Sequence, residues 1–408
     1  MSTAKKTFVW MGALSVVTLL LGVLREFVIA RDLQTSGAAD LFFRGLVVVG
    51  ASRNFGLALF RARWIPIGPQ VTATQLLSRE RKTIGAITVV ALLALAGLLA
   101  GPDWSDPASW VFFAAVVLAV LGGAVRALAE RAGMERAGFM LEWALPLGTI
   151  AGGLAIGRGA LGPALGITAG TALGIAALAP RVFGSTARAS TGTGRDDPAA
   201  TLTRWLLVDT LLYVNLGLLE SVVSKFVFSE GGFALLNYAY LFVNAALAVP
   251  TAAATVVSLR IASSGGPDAQ RRLRGWAAIG GLGLGAAVLA VWAALGLPPV
   301  QRAVDVAAGW AFCDAIRPIV LYAVPFAGLR LANTVGRQYL VAHDPKRLIG
   351  WDLTGFVLRA VTLTLGALYL DILASPLALA VAELAQLGAW VRVPSDHTPP
   401  RAEQRDHA

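Results

Sequence analysis

The amino-acid sequence predicts an all-α, polytopic membrane protein with about twelve transmembrane helices arranged as two pseudo-symmetric six-helix bundles. Three observations carry this reading. Hydrophobic residues fill 56% of the 408 positions and charged residues only 14%, giving a mean hydropathy of +0.68 that does not suit a water-facing surface. Residues 159–180, 231–259 and 275–301 carry no charge at all, and each stretch can cross roughly 30 Å of hydrocarbon as a helix. A β-barrel would show short alternating segments instead. The third observation is the one-sided placement of the basic residues.

Apolar runs set against charged or Pro/Gly-rich breaks give spans near 8–30, 40–60, 84–101, 109–129, 139–157, 160–179, 204–228, 233–258, 276–297, 317–341, 350–370 and 374–392. Lys5 and Lys6 precede the first run as in a signal peptide, but no small-residue cleavage site follows, so it reads as an uncleaved helix. With a cytoplasmic N-terminus, 23 Lys and Arg fall on the cytoplasmic side, among them Arg79, Arg81, Lys82, Arg126, Arg271 and Lys346. Only Arg31, Arg158, Arg302 and Arg317 fall opposite. The asymmetry assigns both termini to the cytoplasm. Loops expected outside, such as residues 102–106, are acidic or neutral.

A shift of 195 residues lays Leu21-Gly22-Val23-Leu24 on Leu216-Gly217-Leu218-Leu219 and Gly37-Ala38-Ala39-Asp40-Leu41 on Gly232-Phe233-Ala234-Leu235-Leu236. The expected organisation is an N-terminal six-helix bundle over 1–183, a Ser/Thr/Gly-rich cytoplasmic linker over 184–203, a C-terminal bundle over 204–393 and a cytoplasmic tail over 394–408. Parallel six-helix repeats are a transporter architecture with the substrate held between the halves. Chance similarity among Leu/Ala/Gly-rich helices is the competing explanation.

The net charge of +10 comes from bases spread over span ends, unlike the aromatic-interleaved patch of a nucleic-acid binder, so no nucleic-acid partner is expected. The single Cys313 excludes an internal disulfide, and His343, His397 and His407 lie in a loop and the tail, so no metal site or metal cofactor is expected. Gly281, Gly283 and Gly285 imitate a nucleotide loop but lie mid-span. They and the four-residue repeat Gly162, Gly166, Gly170, Gly174 read as packing surfaces. No Walker motif appears, so any work comes from an ion gradient, the membrane potential or removal of product.

Seven cations remain inside or at the edges of spans: Arg25, Arg44, Arg53, Lys225, Arg330, Arg337 and Arg359. Each costs roughly 2.5–3.5 kcal/mol near a helix centre, so each needs a partner or a wet cavity. Asp40 and Arg44 have the i,i+4 spacing of an intrahelical pair, which makes Arg44 structural. Arg25 has only its neighbour Glu26, and Arg53 has no acid within a turn. Arg330 and Arg337 lie about 10 Å apart on one helix face, with Asn333 and Thr334 between them. Guanidinium forks match phosphate oxygens, so such arginines fit a phosphate or pyrophosphate. Snorkelling to the interface is the alternative for Lys225, Arg359 and Arg337. Asp209 and Asp352 could hold a coupling Na⁺ or H⁺. Equally, Asp209 could pair with Arg204, and Asp352 could sit in the first turn of its helix.

Leu24-Arg25-Glu26-Phe27-Val28-Ile29-Ala30-Arg31, Ser36-Gly37-Ala38-Ala39-Asp40-Leu41-Phe42-Phe43, Arg53 and Ile65-Pro66-Ile67 together resemble the start of the MurJ/MviN lipid II flippase family. That family belongs to the multidrug/oligosaccharidyl-lipid/polysaccharide exporter superfamily. The resemblance implies cavity arginines at Arg25, Arg31 and Arg53, an acidic residue at Asp40, and a non-enzymatic carrier of a polyprenyl-pyrophosphate glycan. It also implies membrane lipids and cell-envelope glycosyltransferases or polymerases as partners. Tyr240-Leu241 stands where the family has Asp-Arg, residues 54–63 replace a glutamate-containing stretch, and two further C-terminal helices are usual in the family. These departures point to a relative working on another polyprenyl-linked glycan. A cation-coupled multidrug exporter would want acids facing its cavity, and a membrane-embedded glycosyltransferase would want a catalytic outer loop.

Overall fold

In the computed structural model, residues 3–64, 71–157, 159–184, 217–264, 267–343 and 345–391 are described. They form α1 (Thr3–Leu33), α2 (Gly37–Trp64), α3 (Ala73–Leu99), α4 (Pro107–Arg131), α5 (Glu135–Ile156), α6 (Leu161–Gly184) and α7 (217–226). They continue as α8 (Gly232–Ser264), α9 (Pro267–Leu295), α10 (Pro298–Ala308), α11 (Phe312–Tyr322), α12 (Val324–His343), α13 (Pro345–Leu370) and α14 (Ala374–Val391). No strand occurs among the described residues. The linker 185–203, Asp209 and the tail lie outside them.

The architecture is that of a multi-pass membrane protein. Six helical stretches among the described residues are long and apolar enough to cross a bilayer. The bent pair α11–α12 raises that to seven, and Arg347–Ala389 counts once although the 3₁₀ turn Asp371–Leu373 divides it into α13 and α14. The helices outrun the hydrocarbon. Residue 84 is where the third apolar run begins, but α3 starts at Ala73, where Thr72 and Gln75 form a reciprocal capping box.

The expected span 317–341 is not one straight helix. It bends by 50° between α11 and α12, beside Pro318 and Pro325, whose missing N–H groups interrupt the ladder. The short helix α10 has no counterpart among the apolar runs, because its eleven residues include Gln301, Arg302 and Asp305.

The chain divides into two compact units. The first contains Met1–Leu241 and Pro298–Ile316, the second Phe242–Leu297 and Arg317–Ala408. In the first, α5 and α6 approach closely through glycines. A Cβ on Gly166 would collide with the carbonyl of Gly148, and one on Gly152 with that of Gly162. A second contact brings α4 onto α2, where a Cβ on Gly123 would lie 2.8 Å from the Arg53 carbonyl. Phe60, Trp64, Leu76, Val120 and Leu128 form a buried apolar cluster near the ends of α2 and α4. In the second unit α12 packs on α9, with Gly281 against Gly328, whereas Gly283 faces open space. Close packing thus explains Gly281 but not Gly283.

Candidate functional site

In the first unit, the Gly123 contact lets side chains farther along α4 reach α2, and Gly138 brings α5 against Ala129 and Arg126 of α4. The result is a continuous chain of ion pairs. Arg53 Nη2 of α2 lies 2.7 Å from Glu142 Oε2 of α5. The other oxygen of Glu142 meets Arg126 of α4. Arg126 Nε donates to Glu130 Oε1 at 3.2 Å, and the two Glu130 oxygens also accept a bidentate fork from Arg61 of α2. Three arginines against two glutamates leave one positive charge over.

Arg53 and Glu142 are each 17% exposed at the side chain and Arg126 only 10%, whereas Arg61 is 40% exposed, so the Arg53–Glu142–Arg126 end of the chain is the largely water-excluded one. Arg53 Nε is buried with no hydrogen-bond partner. Arg25 lies near enough for its charge to repel that of Arg53. Arg53 to Arg61 spans eight residues, or about 12 Å along α2, so the chain runs from the helix end toward its middle.

Two sequence expectations need correction. Arg25 does find a partner in Glu26, with Nε donating to Oε1 at 3.1 Å. Adjacent side chains leave a helix about 100° apart, but the two long, flexible arms curl together because leaving either charge unpaired out of water is costlier. Arg53 likewise has an acid, supplied by α5 rather than by its own helix. The arginines are therefore paired in this conformation.

Asp40 is engaged in building the fold. Its oxygens accept the backbone N–H groups of Gly231 at 2.9 Å and Ala234 at 2.8 Å, at the start of α8, and Arg44 lies 3.8 Å away. Free N–H groups at a helix start favour such a carboxylate. Arg44, also 3.4 Å from Asp103, has the structural role expected of it. Arg31 is exposed in the last turn of α1, where a cation suits the helix end. Lys225 donates to the carbonyls of Gly97 and Ala100 at 3.1 and 2.6 Å.

In the second unit Arg330 Nη1 lies 2.7 Å from Glu383 Oε1 of α14. Asn333 Nδ2 donates to the Glu383 carbonyl at 2.7 Å and to its carboxylate. Glu383 is 4% exposed at the side chain. Arg337 Nε is 3.9 Å from Asp352 Oδ2. Asp352 lies two turns into α13, which begins at Pro345, so it is not a first-turn carboxylate. Arg359 is 4% exposed and does not snorkel.

Glu142 and Glu383 stand in the sequence among the acids inside apolar runs, which neutralise in-span cations. Which cation each one meets is given only by the packing, and sequence reading passes over Glu130 and Arg126 as partners. Arg126 was counted with the loop bases because it is five residues from the end of α4.

No family model and no curated protein match the chain. Solved structures do. It is similar to the lipid II flippase MurJ in an inward closed conformation, with a TM-score of 0.72 at 11% identity over 94% of this chain and 87% of that one. It is also similar to a multidrug resistance MATE family transporter of the MOP superfamily, inward-facing, with a TM-score of 0.67 at 14% identity over 92% of this chain and 94% of that one. A MATE structure in complex with MaL6 follows at a TM-score of 0.55 and 13% identity, over 92% and 94% of the two chains. The fold implied by the N-terminal motifs is thus the fold observed: the chain is built like the MurJ flippase and the MATE transporters.

Proposed function

We propose that this protein is a flippase or exporter that moves a polyprenyl-pyrophosphate-linked oligosaccharide, or a peptidoglycan precursor of that chemistry, across the inner membrane by alternating access. The carrying observation is the ion-pair chain Arg53–Glu142–Arg126–Glu130–Arg61, whose positive surplus lies in a membrane-spanning unit. A buried guanidinium cluster with one charge uncompensated suits an anionic headgroup and repels a cationic one. The likeness in fold to a lipid II flippase supports the same reading.

The fold is equally compatible with a cation-coupled multidrug exporter, a cargo that the positive surplus disfavours. In the flippase reading Arg25, Arg31 and Arg53 of the first unit and Arg330, Asn333 and Arg337 of the second are the groups that contact the headgroup at one stage or another of the cycle, and Asp40 supports that path only by capping α8. Asp352 and Asp209 hold a coupling Na⁺ or H⁺. Envelope glycosyltransferases or polymerases supply and remove the cargo, and both chain ends face the cytoplasm.

The test is a flipping assay in proteoliposomes with several polyprenyl-pyrophosphate glycans. Arg25→Ala and Arg53→Ala should each lower the rate at least tenfold, as expected for loss of a charge-assisted contact. Transport of a cationic dye in place of every glycan would overturn the reading.

A further inference from the structure

Glu142 holds Arg53 and Arg126 together with one oxygen on each. That arrangement is incomplete. Arg53 Nε stays buried without an acceptor, and a single carboxylate charge faces two guanidinium groups, the second of which already shares Glu130 with Arg61. A buried N–H without a partner is unfavourable, so this arrangement retains an unmet demand for oxygen acceptors. A phosphoryl or pyrophosphoryl group has more acceptor oxygens and more charge than a carboxylate. It could take the fork of Arg53 through Nε and Nη2 together and still reach Arg126.

We propose that Arg53 and Arg126 form a phosphoryl-binding site for which Glu142 is the displaceable internal occupant: the pyrophosphate group enters by replacing the carboxylate and leaves when the carboxylate returns. Glu142 is thus a specificity residue. It keeps the two like charges close together in the empty carrier, and it sets an affinity threshold that weakly acidic cargo does not pass. The proposal rests on the reading of the chain as a carrier of a pyrophosphate-linked headgroup.

The full chain in lipid nanodiscs is titrated with inorganic pyrophosphate and, separately, with undecaprenyl pyrophosphate incorporated in the disc. Glu142→Gln keeps the size and an acceptor oxygen but removes the competing charge. It should bind pyrophosphate about tenfold more tightly than the native chain, the scale of one charged hydrogen bond. It should also flip more slowly, because release loses its competitor. Arg126→Gln should lose binding in both arms. Glu142→Asp, which keeps the charge but shortens its reach, should fall between native and Glu142→Gln, and it serves if the latter is poorly expressed.

Tightening in both arms assigns the site to the lipid headgroup, and tightening for the soluble anion alone assigns it to a free phosphate compound. Unchanged or weaker binding by Glu142→Gln in both arms, or no binding by any variant, overturns the site. Tightening without flipping of any glycan by the native chain would instead remove the flippase reading and leave the phosphoryl site standing.

Discussion

Asp40 on α2 and Ala234 on α8 are joined by a 2.8 Å hydrogen bond from the Ala234 N–H to the Asp40 carboxylate, with Gly231 donating to the other oxygen. Beside them Tyr238 Oη donates to the Gln34 carbonyl at 3.0 Å. A residue that the N-terminal motifs imply as part of a transport path is therefore a cap for a helix far along the chain. Asp40→Ala should lower stability by about 1–3 kcal/mol, the cost of leaving buried donors unmet. Asp40→Asn, which keeps one acceptor, should lose less. Thermal unfolding in detergent reads both. If Asp40→Ala abolishes flipping at unchanged melting temperature, the capping account is wrong.

Glu383 is the buried hub of the second unit, serving Arg330 and Asn333 together. Glu383→Ala removes the carboxylate that serves a guanidinium and an amide, and the expected loss is about 3–5 kcal/mol, as for breaking a buried pair. Arg330→Ala should be milder, because Arg330 is 23% exposed at the side chain and Glu383 keeps Asn333. A double-mutant cycle on the two, read from denaturation midpoints, should show coupling of about 1 kcal/mol or more. Additive losses would mean that the pair contributes little.

Glycine substitutions separate packing from composition. Gly166→Ala places its new methyl group into the Gly148 carbonyl on α5, whereas Gly283→Ala meets nothing within 4 Å. The first should lose folded yield and about 1–3 kcal/mol or more through forced separation of two helix backbones. The second should be neutral or stabilising by about 0.5–1 kcal/mol, since alanine is the better helix former. Monodisperse yield on size-exclusion chromatography distinguishes them, and equal tolerance at both sites would contradict the tight α5–α6 contact.

Helix positions were legible because charge runs and Pro/Gly breaks bound the apolar runs. Partnership was not. Periodicity gives the face on which Arg53 sits but says nothing of Glu142, which is distant in sequence and reaches it only because Gly123 and Gly138 draw three helices together. The same limit hid the role of Asp40, whose i,i+4 neighbour Arg44 is real but is the longest of its contacts. Residues inside hydrocarbon were recognisable as needing partners, and the particular partner required the packing.

The placement of bases also predicts which loops should be reachable from outside. Cys313 is buried, so the native chain should resist a membrane-impermeant thiol reagent in intact cells. Ser105, exposed in the 3₁₀ turn before α4, lies in a loop without Lys or Arg, whereas Ser78, exposed near the start of α3, adjoins Arg79, Arg81 and Lys82. Translocating three bases against the membrane potential and away from anionic lipid is unfavourable, which predicts the second loop on the cytoplasmic side. Ser105→Cys should therefore label in intact cells, and Ser78→Cys only after permeabilisation. Labelling in the reverse order would invert the orientation. It would also place the cytoplasmic end of the Arg61–Glu130 chain on the outer face, so that the headgroup would be released where it is proposed to enter.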